Sequence, residues 1–327
     1  MLVIRSELLI SVGDWWGRQS RHGLDSSTAV TRKRESSRPV SENLRTNPFA
    51  VRGAPEPLTG YYPVNGTNLY AEVRGSGPVV LLIGAADEDA EIYRPVAERL
   101  DGYTVVTYDR RGTLRSGRED WPGGGSVQHA DDAAGLLEVL GLRDVTVLGT
   151  SAGGIVALTL ALRYPHLVGR ALVFEPGCFH AVPGGEQLLR RVDEAVTSHL
   201  AAHPDDWKGA SATLGRTVVA SVDPDSRGLF SPPEGMDWYT QRFDANAEAL
   251  IRGDFELTRE PVDENELASS PVDIEFSYGG ASLPIFSRIS THLAEVRGGT
   301  PSRLDGVGHL AFYHPDAISS YILSQED

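Results

Sequence analysis

The sequence predicts an α/β fold, with a mainly parallel central sheet and helices on both of its faces. Two observations carry this. Short apolar runs recur along the chain: V-V-L-L-I at 79–83, Y-T-V-V-T-Y at 103–108, D-V-T-V-L at 144–148, R-A-L-V-F at 170–174 and V-D-I-E-F-S-Y at 272–278. Runs of this kind mark strands covered on both faces. Stretches with helical patterning alternate with them: A-E-I-Y-R-P-V-A-E-R-L, H-A-D-D-A-A-G-L-L-E-V-L and G-I-V-A-L-T-L-A-L-R-Y. Strand–helix alternation builds a parallel sheet.

Taken in order, residues 1–55 form a separate arm. From Arg18 to Pro55 it is rich in Ser, Arg and small polar residues and shows no sustained period. It carries nine Lys/Arg against five Asp/Glu. That makes it about +4 and leaves about −19 for the rest of a chain whose formal charge is −15. A basic arm on an acidic body either docks, on the body or on a neighbouring subunit, or stays a disordered tail; Trp15 and Trp16 favour docking. Y-Y-P-V and T-N-L-Y-A-E-V flank Asn65-Gly66 and predict a hairpin. The α/β core is expected over 56–179 and 266–327. Between these parts, 180–265 is helix-prone, carries Trp207, Trp238 and Tyr239, and lacks buried-strand runs. It reads as an inserted helical cap.

The 327 residues suffice for a large core, and the negative charge argues against nucleic acid or an anionic membrane surface as partner. The lone cysteine, Cys178, excludes an internal disulfide and suits a reducing compartment; it reads as a small core filler. Arg5, Glu7 and Asp14 interrupt the apolar start, so neither a signal peptide nor a membrane span is expected, and the protein reads as cytoplasmic. The oppositely charged arm favours a homo-oligomer. No metal-ligand spacing, phosphate loop or dinucleotide fingerprint occurs, so no metal or cofactor is expected.

The chemistry gathers around V-L-G-T-S-A-G-G at 147–154. Gly149, Ser151 and Gly153 satisfy G-x-S-x-G between a buried strand and a helix, the context in which this motif exposes a nucleophilic serine. The N–H of Ala152, at the helix start, faces the same spot and is a candidate oxyanion donor. A nucleophilic serine needs an oriented base. Most of the nine histidines fall in helical or tail segments; His309, in G-V-G-H-L-A-F-Y-H-P, follows a short strand and a glycine-bearing loop and is the candidate base. His314 precedes Pro315 at a helix start and reads as a cap or surface residue. No carboxylate follows the penultimate strand, which runs into S-Y-G-G-A-S-L-P, and Asp273 and Glu275 lie too early in it. Glu175 ends the strand R-A-L-V-F-E and is the candidate acid; a strand-end glutamate tied into backbone hydrogen bonds is the alternative.

With G-T-S-A-G-G, Y-D-R-R-G (108–112) and G-V-G-H, residues 60–325 resemble the α/β-hydrolase superfamily. The strand-end glutamate, the acid-free Y-G-G-A-S-L-P and the closing G-H-L-A-F-Y-H-P-D resemble the zearalenone lactonases, and the length and arm their longer actinobacterial members. That resemblance implies a Ser–His–Glu triad of Ser151, His309 and Glu175 that opens a macrolactone. It implies a second oxyanion donor from the loop G-A-A-D-E-D: Ala86, with Ala85 as the fallback. It also implies a cap tryptophan over the substrate, for which Trp238 is the match, a cap-core aromatic being its other reading. Asp87 and Glu88 in the same loop disfavour anionic substrates. Asp109, Arg110 and Arg111 read as holding the turn below the site. The expected activity is hydrolysis of a small hydrophobic ester or lactone. The alternatives are a general carboxylesterase or polyketide-tailoring hydrolase, and a non-catalytic binding protein on the same scaffold.

Overall fold

The computed structural model describes residues 47–223 and 236–325. Eight strands form one sheet in the order β1-β2-β4-β3-β5-β6-β7-β8. These are β1 (Leu58–Val64), β2 (Thr67–Gly75), β3 (Val79–Ile83), β4 (Thr104–Tyr108), β5 (Val145–Thr150), β6 (Val168–Phe174), β7 (Asp273–Gly279) and β8 (Ser302–Leu304). β1 and β2 are antiparallel to each other, β2 is antiparallel to β4, and every other pairing is parallel. The hairpin turns at Asn65 and Gly66, whose φ of 45° and 80° put both in the left-handed region that a two-residue hairpin loop requires.

Alternation along the central strands assigns side chains to two layers. Leu81, Ile83, Val106, Val147 and Val173 point to one face, where they meet α2 (Gly125–Leu140), α3 (Ala152–Arg163) and α9 (Pro284–Val296). Val80, Leu82, Val105, Leu148 and Leu172 point to the other, against α1 (Arg94–Ala97) and α10 (Pro315–Leu323). Each fully buried aliphatic contributes about 1.5–3 kcal/mol by leaving water. Covering both faces makes the strand sequences continuously apolar.

One expected helix is much shorter than its pattern. Residues 90–100 form only the four-residue α1. Ahead of it the backbone runs in single turns, with Ile92 N–H donating to Asp89 O and Arg94 N–H to Glu91 O. Pro95 supplies no N–H, and the Asp89 carboxylate takes the Glu91 N–H at 3.0 Å.

Between β6 and β7 lie α4 (Gly185–Ala202), α5 (Trp207–Val222), α6 (Asp237–Ala249), a π-helical turn (Leu250–Asp254), α7 (Phe255–Leu257) and α8 (Glu264–Ser269). The last residues of the arm lie on the body. The Asn47 amide donates to Glu91 O and its oxygen accepts from the Tyr239 hydroxyl, while the Phe49 ring meets Tyr239 and Tyr313. Trp15, Trp16 and the basic run 32–34 lie outside the described residues. Cys178 is buried, and burial pushes its thiol up to about 12, which makes it unreactive. Among the described residues no helix is long and apolar enough to cross a membrane, and no group of His, Cys, Asp or Glu is placed to hold a metal ion.

Candidate active site

Parallel register puts the candidate nucleophile and acid side by side. Thr150 of β5 pairs with Phe174 of β6, so the next residue of each strand, Ser151 and Glu175, leaves the same sheet edge. Both take the left-handed region, with φ of 52° and 45°, an unfavourable conformation for residues carrying a Cβ. Ser151 is held there by its N–H to Phe174 O, and its own carbonyl accepts from Gly154, Ile155 and Gly177. The positive φ therefore falls on the serine, and the flanking glycines serve close approach. A Cβ on Gly149 would lie 2.2 Å from Gly153 O, and one on Gly153 would lie 2.2 Å from Gly84 O.

His309 sits in the loop after β8 and reaches Ser151 past the intervening strands. Its Nε2 is 3.1 Å from Ser151 Oγ and its Nδ1 is 2.6 Å from Glu175 Oε2. The carboxylate partner assigns the proton to Nδ1, leaving Nε2 as acceptor for the serine hydroxyl. Glu175 is fully buried and His309 is 6% exposed, so water competes little with this chain of bonds. The acid-free loop after β7 holds the acid instead of supplying it. Gly279 N–H donates to Glu175 Oε1 at 2.7 Å and the Ser282 hydroxyl donates to Oε2 at 2.8 Å. The Phe286 ring stacks on the imidazole, 3.9 Å between centroids and 13° from parallel. Sequence reasoning missed Ser282 and Phe286; each acts across the sheet edge, and no local motif marks them.

The comparisons with known proteins bear on the family and the fold. Residues 77–191 match the family model described as alpha/beta hydrolase fold. The chain is 39% identical over 240 residues to the uncharacterized hydrolase YraK of Bacillus subtilis (strain 168), covering 72% of this chain and 84% of that protein. The chain belongs to the α/β hydrolase family. It also resembles a putative carbamate hydrolase RutD of Azorhizobium caulinodans, 37% identical over 128 residues, which are 39% of this chain and 46% of that protein. Among solved structures, an α/β hydrolase from Sphaerobacter thermophilus superposes with a TM-score of 0.59 at 25% identity over 81% of this chain and 99% of the other. An esterase from Exiguobacterium antarcticum superposes with a TM-score of 0.66 at 19% identity over 82% and 99%, a likeness of fold.

In this α/β hydrolase the loop after β3 faces Ser151 across a cavity of about 630 Å³, lined by Ala85, Ala86, Ser151, Ala152 and His309 together with apolar side chains such as Phe179, Val218, Phe243 and Phe255. The Ala85 N–H is taken by Glu88 Oε2 at 2.6 Å. Among the described residues, no hydrogen bond engages the N–H of Ala86 or of Ala152. Of the two alanines in the loop, Ala86 is thus the one with a donor to offer.

Trp238 is corrected by its placement. It does not line the cavity but packs edge-on to Tyr239 at 4.7 Å, with the Arg242 guanidinium over its ring at 4.9 Å. Helical geometry explains this. Thr240, Phe243 and Asp244 stand three and four apart on the face of α6 that meets the cavity, and Trp238 lies two residues from Thr240, on the far side.

Y-D-R-R-G does more than hold its own turn. Arg111 binds Asp132 of α2, and Asp109 binds Arg115 and the Ala90 N–H, but Arg110 leaves the turn for the loop after β3. Burial pushes the Glu88 carboxyl up to about 8. Burial, with Glu88 and Asp254 beside it, also lifts Asp87 well above the usual carboxylate range. Both acids are held towards the neutral form, which softens the repulsion of anionic substrates that the sequence suggests.

Glu88 has a measurable consequence. Its folded-state value of about 8 lies above its ordinary 4.5, so the folded chain keeps a proton that the unfolded chain releases. The stability this contributes is complete below pH 4.5 and is lost as pH rises towards about 8, at up to ~1.4 kcal/mol per pH unit. Glu88→Gln keeps an oxygen for the Ala85 N–H and removes the titration. Urea midpoints measured across this range are expected to fall less steeply for Glu88→Gln than for the wild type; equal slopes would show that Glu88 titrates normally.

Proposed function

We propose that this α/β hydrolase cleaves an ester or lactone bond of a small hydrophobic substrate through an acyl-enzyme, with the macrolactone zearalenone as the substrate. The observation that carries this reading is the unbroken chain Ser151–His309–Glu175 at the wall of a largely apolar cavity. In this mechanism the Ser151 hydroxyl attacks the carbonyl carbon as His309 Nε2 takes its proton. Glu175 stabilises the imidazolium, and the N–H groups of Ala86 and Ala152 hold the oxyanion. The leaving alkoxide takes the proton from His309. Water, activated by the same imidazole, then releases the acid. In a lactone the alcohol stays tethered, so the cavity must hold both ends of the opened ring. Phe179, Phe243, Phe255 and Phe286 suit an aromatic macrocycle. The substrate choice rests on the strand-end glutamate, the acid-free β7 loop and the closing G-H-L-A-F-Y-H-P-D.

Mass spectrometry of zearalenone incubated with the protein tests this. Gain of one water is the expected result. Intact zearalenone alongside cleaved aryl esters would replace the lactonase reading by a general carboxylesterase. Failure on both, with no fluorophosphonate label on Ser151, would leave a binding protein on a hydrolase scaffold.

A further inference from the structure

The backbone around Ala86 is fixed by two charged side chains that lie outside its loop. Arg110 follows β4 and is 1% exposed; Asp254 closes the π-helical turn Leu250–Asp254 and is 3% exposed. They form a two-bonded ion pair, Nη1 to Oδ1 at 2.5 Å and Nη2 to Oδ2 at 3.0 Å. Each also reaches the oxyanion loop. Arg110 Nη2 donates to Ala85 O at 2.7 Å, and Asp254 Oδ2 accepts from Asp87 N–H at 3.0 Å. Ala86, which lines the cavity, thus sits between two anchored peptides, and among the described residues no hydrogen bond engages its N–H.

A buried ion pair is weak evidence of stabilisation, because desolvation consumes most of its attraction and an apolar replacement is often neutral. The bonds this pair makes beyond itself hold the two neighbours of one alanine. Asp87 needs holding, since its φ of 53° is an unfavourable conformation. The segment that supplies Asp254 also supplies cavity wall: Leu250, Asp254 and Phe255 all line the space in front of Ser151. π-Helical turns inside α-helices recur at functional sites, where they displace the residues that follow.

We propose that Asp254 is a positioning residue for the oxyanion hole, acting with Arg110 to aim the Ala86 N–H and to couple the cap-side wall at Leu250 and Phe255 to the carbonyl-binding point. This rests on the serine-hydrolase reading above. A substrate group that presses on Leu250 and Phe255 bears on the turn that holds Asp87, so filling the cavity orders the donor. A loop freed from the pair still binds substrate through the apolar wall but stabilises the oxyanion less. The loss therefore falls on kcat and leaves KM nearly unchanged.

The test compares the wild type with Asp254→Asn and with the double variant Arg110→Met/Asp254→Leu, which leaves no unpaired buried charge. The readouts are kcat and KM on a p-nitrophenyl ester and inhibition by an alkyl trifluoromethyl ketone, whose serine adduct places an oxyanion in the hole. Both variants are expected to lose ~10–100-fold in kcat with KM within about threefold, and to bind the ketone more weakly by the same factor as the loss in kcat/KM. The double variant is expected to fold with a somewhat lower thermal midpoint than the wild type, since the Ala85 carbonyl and the Asp87 N–H lose their partners. Unchanged ketone affinity in a folded variant, or a loss confined to KM, would overturn the inference and leave the Ser151 reading intact. A wild type that the ketone does not inhibit would remove the serine-hydrolase reading, and this inference with it.

Discussion

Ser151→Ala is expected to lower kcat by about a million-fold, to the level that oxyanion donors and binding alone support. Alanine has no oxygen to form the acyl-enzyme, and Ser151 Oγ is the hydroxyl that lies 3.1 Å from His309 Nε2. Folding should be untouched. The serine side chain contributes one hydrogen bond, to His309, whereas the elbow is built by backbone groups: Ser151 N–H to Phe174 O and three N–H groups to Ser151 O. Alanine at φ 52° is about as strained as serine. The checks are turnover of the best substrate found, loss of fluorophosphonate labelling, and an unchanged thermal midpoint. A folded variant that keeps more than a few per cent of the rate would assign the nucleophile elsewhere.

Glu175→Gln is expected to cost ~10⁴-fold in kcat, through the tautomer of His309 as much as through charge. The carboxylate accepts from three donors: Gly279 N–H, the Ser282 hydroxyl and His309 Nδ1–H. A glutamine offers one oxygen. If the oxygen stays with Gly279, the amide nitrogen faces His309 Nδ1 and drives the proton to Nε2, where it cannot accept from Ser151. If the oxygen turns to His309, the nitrogen meets the Gly279 N–H donor to donor, and a fully buried N–H loses its partner at a cost of ~1–3 kcal/mol. The variant should therefore be both slow and less stable. Steady-state kinetics with a urea titration checks this, and a rate within tenfold of the wild type would show that Glu175 is only a strand-end anchor.

These two residues were also the parts of the site most legible in the sequence, for a common reason. Ser151 and Glu175 each end a strand whose apolar run is written locally, and parallel strands in register bring such ends together without further instruction. His309 was legible as a histidine after a short strand and a glycine-bearing loop. The hairpin was legible because Asn65-Gly66 favours a positive φ at both positions. By contrast, the pattern over 90–100 promises a full helix and gives four residues, since Asp89 and its neighbours are drawn into bonds with distant partners such as Arg242.

What the sequence determined by itself is the set of features fixed between near neighbours: strand runs, turn chemistry, the strained serine between two glycines, and the residue types at strand ends. What only the tertiary structure decided is which way side chains face and which distant partners claim them. Helical phase turns Trp238 away from the cavity and Phe243 towards it. Glu88 takes the Ala85 N–H and leaves that of Ala86. Ser282 holds Glu175 from 107 positions away, and Asp254 meets Arg110 across 144. Periodicity reports burial, which is an average over a face. Hydrogen-bond partners at such separations depend on packing of the whole sheet and the helices between β6 and β7, and no local stretch of residues encodes that.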